Sequence, residues 1–161
     1  MDNGNKTETV KQRKPAMDYT LVGIQFLLFV IYLLEVKKLS FHGGMISEWA
    51  GAMLFLLGAI ILLSALFKLG HSLSPYPSPL PEGQLVSSGM YKWMRHPIYS
   101  GILIAGFGFA LYAGSGFKLL IILFLYILFY YKSNYEESLL MEKYPDYPAY
   151  RKRTGRFFPG L

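Results

Sequence analysis

The sequence predicts an all-α, polytopic membrane helical bundle with about four transmembrane helices. Of its 161 residues, 53% are hydrophobic and 17% aromatic, which is more apolar surface than one soluble domain of this length would bury, because much of any folded surface faces water. The apolar residues also form long runs instead of recurring with the period of an amphipathic helix. Both observations favour lipid as the surrounding solvent of a single domain.

Four apolar runs are candidates for membrane-spanning helices. A span needs about 20 residues, within a range of about 17–25. The second run meets this length and the last two are short, and because only residues 114–116 separate those two, we predict a tight helical hairpin there. The runs follow a polar N-terminal tail, residues 1–18, and cover residues 19–36, 49–69, 97–113 and 117–131.

Lysine and arginine are unevenly distributed around these runs. Of the 16 basic residues, 13 lie in the N-terminal tail, in the connection between the second and third runs, and in the C-terminal part, whereas Lys37, Lys38 and Lys118 lie at the opposite ends. Because basic residues near span ends stay in the cytoplasm, both termini are predicted to be cytoplasmic. The net charge of +6 then reports topology and contact with anionic lipid, with no nucleic acid expected as a partner.

The composition excludes several chemistries. The sequence has no cysteine, so disulfides, thiolate nucleophiles, iron–sulfur clusters and cysteine-bound zinc are excluded. Its three histidines, His42, His71 and His96, are not paired at helical spacing, so no metal site is expected.

The connection between the second and third runs contains alternating prolines, in SPYPSPLP. They forbid a helix and favour an extended segment, for which a stiff surface linker is the simple interpretation. Beyond the fourth run a helical apolar face continues through EESLL until Pro145 and Pro148 stop it. Glu136 and Glu137 therefore lie at a span end, where they either face a water-filled cavity or are solvated among lipid headgroups.

Three segments then occur in order: GQLVSSGMYKWMRHPIYSG, EESLL and YPDYPAYRKRTGRFFP. Their order and spacing resemble the isoprenylcysteine carboxyl methyltransferase family and its many bacterial relatives, over residues 70–161. The resemblance implies an integral membrane methyltransferase, in a bacterial or archaeal inner membrane, with a cytoplasmic cofactor-binding loop and C-terminal tail. Residues 70–161 would be the methyltransferase-like part of one domain, and residues 19–69 its first two spans.

The resemblance also implies that the cofactor is S-adenosyl-L-methionine. This molecule carries a sulfonium, an ammonium and a carboxylate, so its pocket needs acids, donors and apolar walls. The glutamates supply negative charge, Arg95 and His96 can donate, and Pro97 at a first-turn position would direct the positive end of a helix dipole to the same region. The residues implied to bind the cofactor are Gln84, Leu85, Val86, Tyr91, His96, Pro97, Ile98, Tyr99, Glu136 and Glu137.

The resemblance further implies a lipophilic or lipidated substrate with a carboxylate acceptor. Family members carry a basic residue one helical turn before the glutamate pair, and Lys132 occupies that position where arginine is more usual. Lys132 would hold the carboxylate as the catalytic candidate, or it snorkels to the headgroups. Arg95 and Arg153 are further substrate-binding candidates, and the basic tail alternatively sets topology and binds anionic lipid.

Three alternatives stay open. Phospholipid N-methyltransferases use the same cofactor with a similar helical layout. NADPH-dependent sterol-reductase-like enzymes share the RHPxY segment, but they typically show aspartate and histidine near a cysteine where this chain has EESLL, and no histidine follows His96 here. A non-enzymatic membrane adaptor leaves the glutamate pair unexplained.

The topology can be tested with reporter fusions. A compartment reporter at residue 161 and one within residues 40–47 should give opposite answers, because these sites lie on opposite sides of the predicted four-span bundle. Identical answers at both sites would contradict the four-span topology.

Overall fold

The protein folds as five α-helices, seen in a computed structural model that describes residues 15–160. No strand occurs among these residues, which confirms the all-α prediction. Residues 1–14 of the predicted polar tail lie outside the described residues, and the first helix begins within the rest of that tail. The helices are α1 (Pro15–Tyr32), α2 (Gly44–Leu69), α3 (Pro97–Tyr112), α4 (Gly116–Lys143) and α5 (Tyr147–Arg153).

Among the described residues, α2 and α4 are long and apolar enough to cross a membrane. Two shorter apolar helices, Ala16–Tyr32 and Pro97–Tyr112, correspond to the other predicted spans. Large apolar side chains cover the outer surface of α2, where Met53 is 69% and Phe67 is 83% exposed. Such a surface is suited to lipid. Two of the predicted spans are therefore supported, and the complete four-span topology stays a prediction.

The predicted hairpin between the last two apolar runs is confirmed. Helix α3 ends at Tyr112 and α4 begins at Gly116. Gly114 takes a positive φ of 59°, which glycine adopts without a Cβ clash. The Ser115 side chain accepts a hydrogen bond from the Lys118 amide and so caps α4.

Of the two prolines predicted to stop α4, one lies just beyond its end and the other lies in the next helix. Helix α4 continues past the glutamate pair to Lys143, and Pro145 follows closely, where its ring prevents continuation. Pro148 was also predicted to stop the helix, and this was wrong. It lies in the first turn of α5, because proline lacks only an amide hydrogen that has no partner in a first turn.

The helices pack in the spatial order α1, α4, α3, α2. Glycines bring α2 and α3 into backbone contact: a Cβ added at Gly101 would lie 2.7 Å from the Leu62 nitrogen, and one at Gly58 would overlap the backbone of Ala105. Small residues permit such close approach between membrane helices. On the other side, Leu125 and other apolar side chains of α4 form a core with α1 and α3.

Helix α1 is fastened at its C-terminal end by α4. The Lys118 ammonium donates to the Tyr32 carbonyl over 2.7 Å, and a cation suits the negative end of the helix dipole. The Tyr32 hydroxyl in turn donates to the Gly106 carbonyl of α3 over 2.6 Å. The first turn of α4 therefore holds the C-terminal end of α1. The candidate site lies farther along α4, in its second half.

The glycine contact predicts a stability difference between two identical substitutions. Gly58→Ala forces a Cβ into the backbone of α3 and should destabilise the detergent-solubilised protein by about 1–3 kcal/mol. Gly23→Ala in α1, which has open space around the new Cβ, should leave the melting temperature unchanged or raise it. Equal melting temperatures for both variants would contradict the tight α2–α3 contact.

Candidate active site

A cavity of about 200 Å³ lies between α1, the start of α3, the second half of α4 and the segments that follow α2 and α4. Its walls combine apolar side chains, aromatic rings and a few charged groups. Ten of the residues singled out in the sequence line it: Gln84, Leu85, Val86, Tyr91, Arg95, His96, Ile98, Tyr99, Lys132 and Glu136.

Glu136 is held in the cavity wall by residues of the RHPIYSG segment. The Tyr99 hydroxyl donates to Glu136 Oε2 over 2.9 Å, and His96 Nδ1 lies 3.7 Å from the same oxygen. The Tyr99 ring stacks on His96 with centroids 5.3 Å apart and on Phe129 with centroids 4.5 Å apart. The carboxylate is thus oriented by side chains that cannot easily rotate, and it presents negative charge to the cavity.

Glu137, the next residue, is buried and points away from the cavity into a group of cations. Its Oε1 lies 2.8 Å from Arg95 Nε and 3.7 Å from Arg156 Nε, and its Oε2 lies 3.1 Å from Arg151 Nε. His96 Nε2 is 3.2 Å from Oε1 and carries its hydrogen there, because an ionised carboxylate only accepts. We call these five residues the Glu137 cluster; it joins α4 to the RHPIYSG segment and to the C-terminal tail.

The C-terminal tail is also fastened by hydrogen bonds to the RHPIYSG segment and to Tyr91 before it. The His96 amide donates to the Arg156 carbonyl over 3.1 Å, and the Ser100 hydroxyl donates to the Phe157 carbonyl over 2.6 Å. Tyr150 donates to the Tyr91 carbonyl over 2.6 Å. Burial raises the pKa of Tyr150 to about 12, so its hydroxyl remains a donor at neutral pH. The tail therefore closes one side of the site.

Lys132 reaches the cavity one helical turn before Glu136. Its side chain is buried, and its ammonium donates to Gln25 Oε1 over 2.6 Å and to the Pro75 carbonyl over 3.1 Å. The ammonium also lies 5.5 Å from the centre of the Tyr99 ring. Lys132 is therefore an internal residue of the bundle in this structure and does not extend outward to a lipid surface.

The proline segment forms another wall of the cavity. Prolines carry carbonyl oxygens without amide hydrogens, so this segment has more acceptors than its own backbone donors can pair. Helix α4 and the residue after it supply the donors: Lys143 Nζ donates to the carbonyls of Leu80 and Pro81, and the Tyr144 hydroxyl donates to the Gly83 carbonyl over 2.6 Å. The extended segment predicted here is more than a surface linker, since it is fixed against the site.

Three residues singled out in the sequence lie outside the cavity lining. Glu137 is turned into its cluster, because adjacent residues of an α-helix point about 100° apart. Pro97 is the buried first residue of α3, where it starts the helix as predicted. Arg153 is exposed on α5, with its guanidinium 5.9 Å from the Tyr150 ring.

The cavity also includes residues that sequence reasoning missed. Gln25 of α1 lines it, and a lone amide within an apolar run is the signal that marks it in hindsight, since polar side chains inside membrane helices are usually functional. Tyr147 lines it as well, and its buried hydroxyl has no hydrogen-bond partner among the described residues. No periodic pattern identifies that tyrosine.

Comparison with known proteins gives one family and two relatives. Residues 46–147 match the phospholipid methyltransferase family. The chain is 31% identical over 113 residues to protein-S-isoprenylcysteine O-methyltransferase of Saccharomyces cerevisiae, covering 68% of this chain and 47% of that protein. It is 25% identical over 135 residues to nickel-cobalt-cadmium resistance protein NccN of Alcaligenes xylosoxydans xylosoxydans, covering 82% of this chain and 62% of that protein. The chain thus spans about half to three-fifths of the relatives' lengths.

The Glu137 cluster predicts that removing one charge loosens the tail. Glu137→Gln leaves the buried Arg95 without its counter-ion, and breaking a buried pair in this way costs about 3–5 kcal/mol. We expect a lower melting temperature and faster tryptic cleavage within residues 151–156. Glu142→Gln, on the exposed side of the same helix, is the matched control, and identical behaviour of the two variants would contradict the role of the cluster.

Proposed function

The chain belongs to the phospholipid methyltransferase family and is isoprenylcysteine carboxyl methyltransferase-like, and from this premise we propose that it is an integral membrane methyltransferase that uses S-adenosyl-L-methionine. The acceptor is a lipophilic carboxylate, similar to that of a prenylated cysteine. One observation carries the proposal: the Tyr99–Glu136 pair and the Lys132 ammonium line a single cavity near one end of a strongly apolar helix.

The chemical groups of the cavity fit this cofactor. Its cationic part needs a carboxylate, which Glu136 presents, and its adenosine needs apolar and aromatic walls, which Leu85 and Val86 help to form. The residues that would hold the cofactor are Gln84, Leu85, Val86, Tyr91, His96, Ile98, Tyr99, Glu136 and Tyr147.

When bound, S-adenosyl-L-methionine supplies an electrophilic methyl group: an acceptor oxygen forms the new bond while the methyl–sulfur bond breaks and its electron pair stays on sulfur. The residues of the chain mainly contribute position. A carboxylate acceptor is ionised at neutral pH, since its pKa is about 4, and needs no general base. Lys132 binds that carboxylate, and as a point charge it does so without the two parallel hydrogen bonds that arginine would offer.

An amine acceptor, as in phospholipid N-methylation, suits this cavity less well. An amine must be neutral to attack the methyl group, and it is commonly protonated and cationic at neutral pH. The Lys132 ammonium would repel that cation and offers hydrogen-bond donors alone. A carboxylate instead gains a counter-ion at the same position, which is why we propose O-methylation within this family.

The cofactor assignment predicts a specific loss of affinity. Glu136→Gln should weaken binding of S-adenosylhomocysteine to the detergent-purified full chain by about tenfold or more, because a charge-assisted hydrogen bond is worth about 1.5–3 kcal/mol. Isothermal titration calorimetry measures it, with Glu142→Gln as the control that should bind like the unaltered protein. NADPH should give no heat of binding.

Two further variants separate the acceptor from the cofactor in this experiment. Lys132→Met should bind S-adenosylhomocysteine normally yet methylate an N-acetyl-S-prenylcysteine far more slowly, whereas Lys132→Arg should retain activity because the charge remains. Saturable NADPH binding, or equal affinity of the Glu136→Gln and Glu142→Gln variants for S-adenosylhomocysteine, would overturn the proposed function. Normal turnover by Lys132→Met would remove the carboxylate acceptor.

A further inference from the structure

We propose that Gln25 of α1 is a second acceptor-binding residue, which together with Lys132 selects a carboxylate. This inference rests on the proposed function, because it assigns the acceptor end of the same cavity. Gln25 lies outside residues 46–147, the part that matches the family. The first helix would thus have a chemical role besides crossing or anchoring in the membrane.

The position of Gln25 is unusual for its helix. Its neighbours Ile24 and Phe26 are 42% and 58% exposed on the outer surface, whereas the Gln25 side chain is half-buried and lines the cavity. A polar side chain of an apolar helix costs free energy when it faces lipid, so it usually faces the bundle interior, where it serves a function. Gln25 is turned inward towards Lys132, to which it is hydrogen-bonded over 2.6 Å.

The hydrogen bond between the two residues determines which groups remain for a ligand. A lysine ammonium has three donors and no acceptor, so the oxygen of the Gln25 amide must face it and the amide nitrogen is left over. That nitrogen makes no hydrogen bond with any described residue. Lys132 uses two of its donors, on Gln25 and on the Pro75 carbonyl. One ammonium donor and two amide donors therefore remain.

A set of donors with one positive charge matches a group that only accepts hydrogen bonds and carries negative charge. A carboxylate has two such oxygens and can take one donor from each residue. An amine or an alcohol carries a donor hydrogen that the Lys132 ammonium cannot accept, and the Gln25 oxygen already accepts from that ammonium, so the remaining donors of the pair outnumber its remaining acceptor capacity. The pair therefore favours a carboxylate by its positive charge and by its excess of hydrogen-bond donors.

Charge also sorts the two ligands within the one cavity. Tyr99 lies between the acidic and the basic ends, because its hydroxyl donates to Glu136 while its ring lies 5.5 Å from the Lys132 ammonium. The cationic part of a cofactor is attracted to Glu136, and an anionic acceptor to the Lys132 ammonium, on which the carboxylates of Glu136 and Asp18 also act. The two binding ends are therefore separated by a single aromatic ring, which suits a reaction between the two ligands.

The experiment compares three single variants of the full chain in detergent, by calorimetric titration in the presence of S-adenosylhomocysteine. The probes are an N-acetyl-S-prenylcysteine and its carboxamide analogue, which keeps the shape but loses the charge. The variants are Gln25→Leu, Gln25→Glu and the matched control Thr20→Val, which also replaces a polar side chain on α1, at an exposed position where the hydroxyl only bonds its own helix.

We expect the unaltered protein to bind the carboxylate at least tenfold more tightly than the carboxamide. Gln25→Leu should lose about tenfold in carboxylate affinity with little change for the carboxamide. Gln25→Glu should lose more, although its carboxylate keeps a strong contact with Lys132 and therefore preserves any structural role. Thr20→Val should behave like the unaltered protein, and all variants should bind S-adenosylhomocysteine equally.

Two results would overturn the inference: carboxylate binding by Gln25→Glu equal to that of the unaltered protein, which would make Gln25 a structural partner of Lys132, or no preference of the unaltered protein for the carboxylate. With normal S-adenosylhomocysteine binding, the first result would leave the proposed function standing, whereas the second would leave the methyltransferase assignment and remove the carboxylate acceptor. Conversely, the expected losses at Gln25 without any S-adenosylhomocysteine binding would refute the proposed function and keep the carboxylate site.

Discussion

Glu137 carries its charge in the interior of the protein, within 3.7 Å of three guanidinium groups and a histidine. Removing such a carboxylate from water is costly, and the cations that surround Glu137 offset this cost. The partners come from distant parts of the chain: Arg95 begins the RHPIYSG segment, and Arg151 and Arg156 belong to the tail. One buried side chain of α4 thereby determines how the two segments that enclose the site are placed around it.

The periodicity of α4 gives its neighbouring polar residues different functions. Lys132 and Glu136 are four residues apart, so they lie on one face and share the cavity, whereas Glu137 is rotated by about 100° and joins the cluster behind it. Lys143, near the end of the same helix, binds the proline segment. One continuous helix therefore carries the charged groups of the cavity and the contacts that position the surrounding segments, which keeps their separations fixed.

The membrane surroundings explain why apolar and polar side chains lie in different parts of the molecule. Helices α2 and α3 meet through glycines, with apolar side chains directed outwards, because helices in lipid associate by close packing instead of by a hydrophobic driving force. Polar groups are concentrated near one end of the bundle, between α1, α3 and α4. The cavity lies there, among these polar groups.

The sequence by itself determined the helical class, the hairpin at residues 114–116, the start of α3 at Pro97 and the end of α4 before Pro145, because apolar runs, glycine and proline act locally. Its motif also identified nine cavity residues, since these follow one another in short segments, and Lys132 was identified by its spacing from the glutamate pair. Only the tertiary structure separated Glu136 from Glu137, and it brought in Gln25, 107 residues from Lys132. Such pairs are decided by how helices pack, and contacts between distant residues leave no periodic signal in the chain.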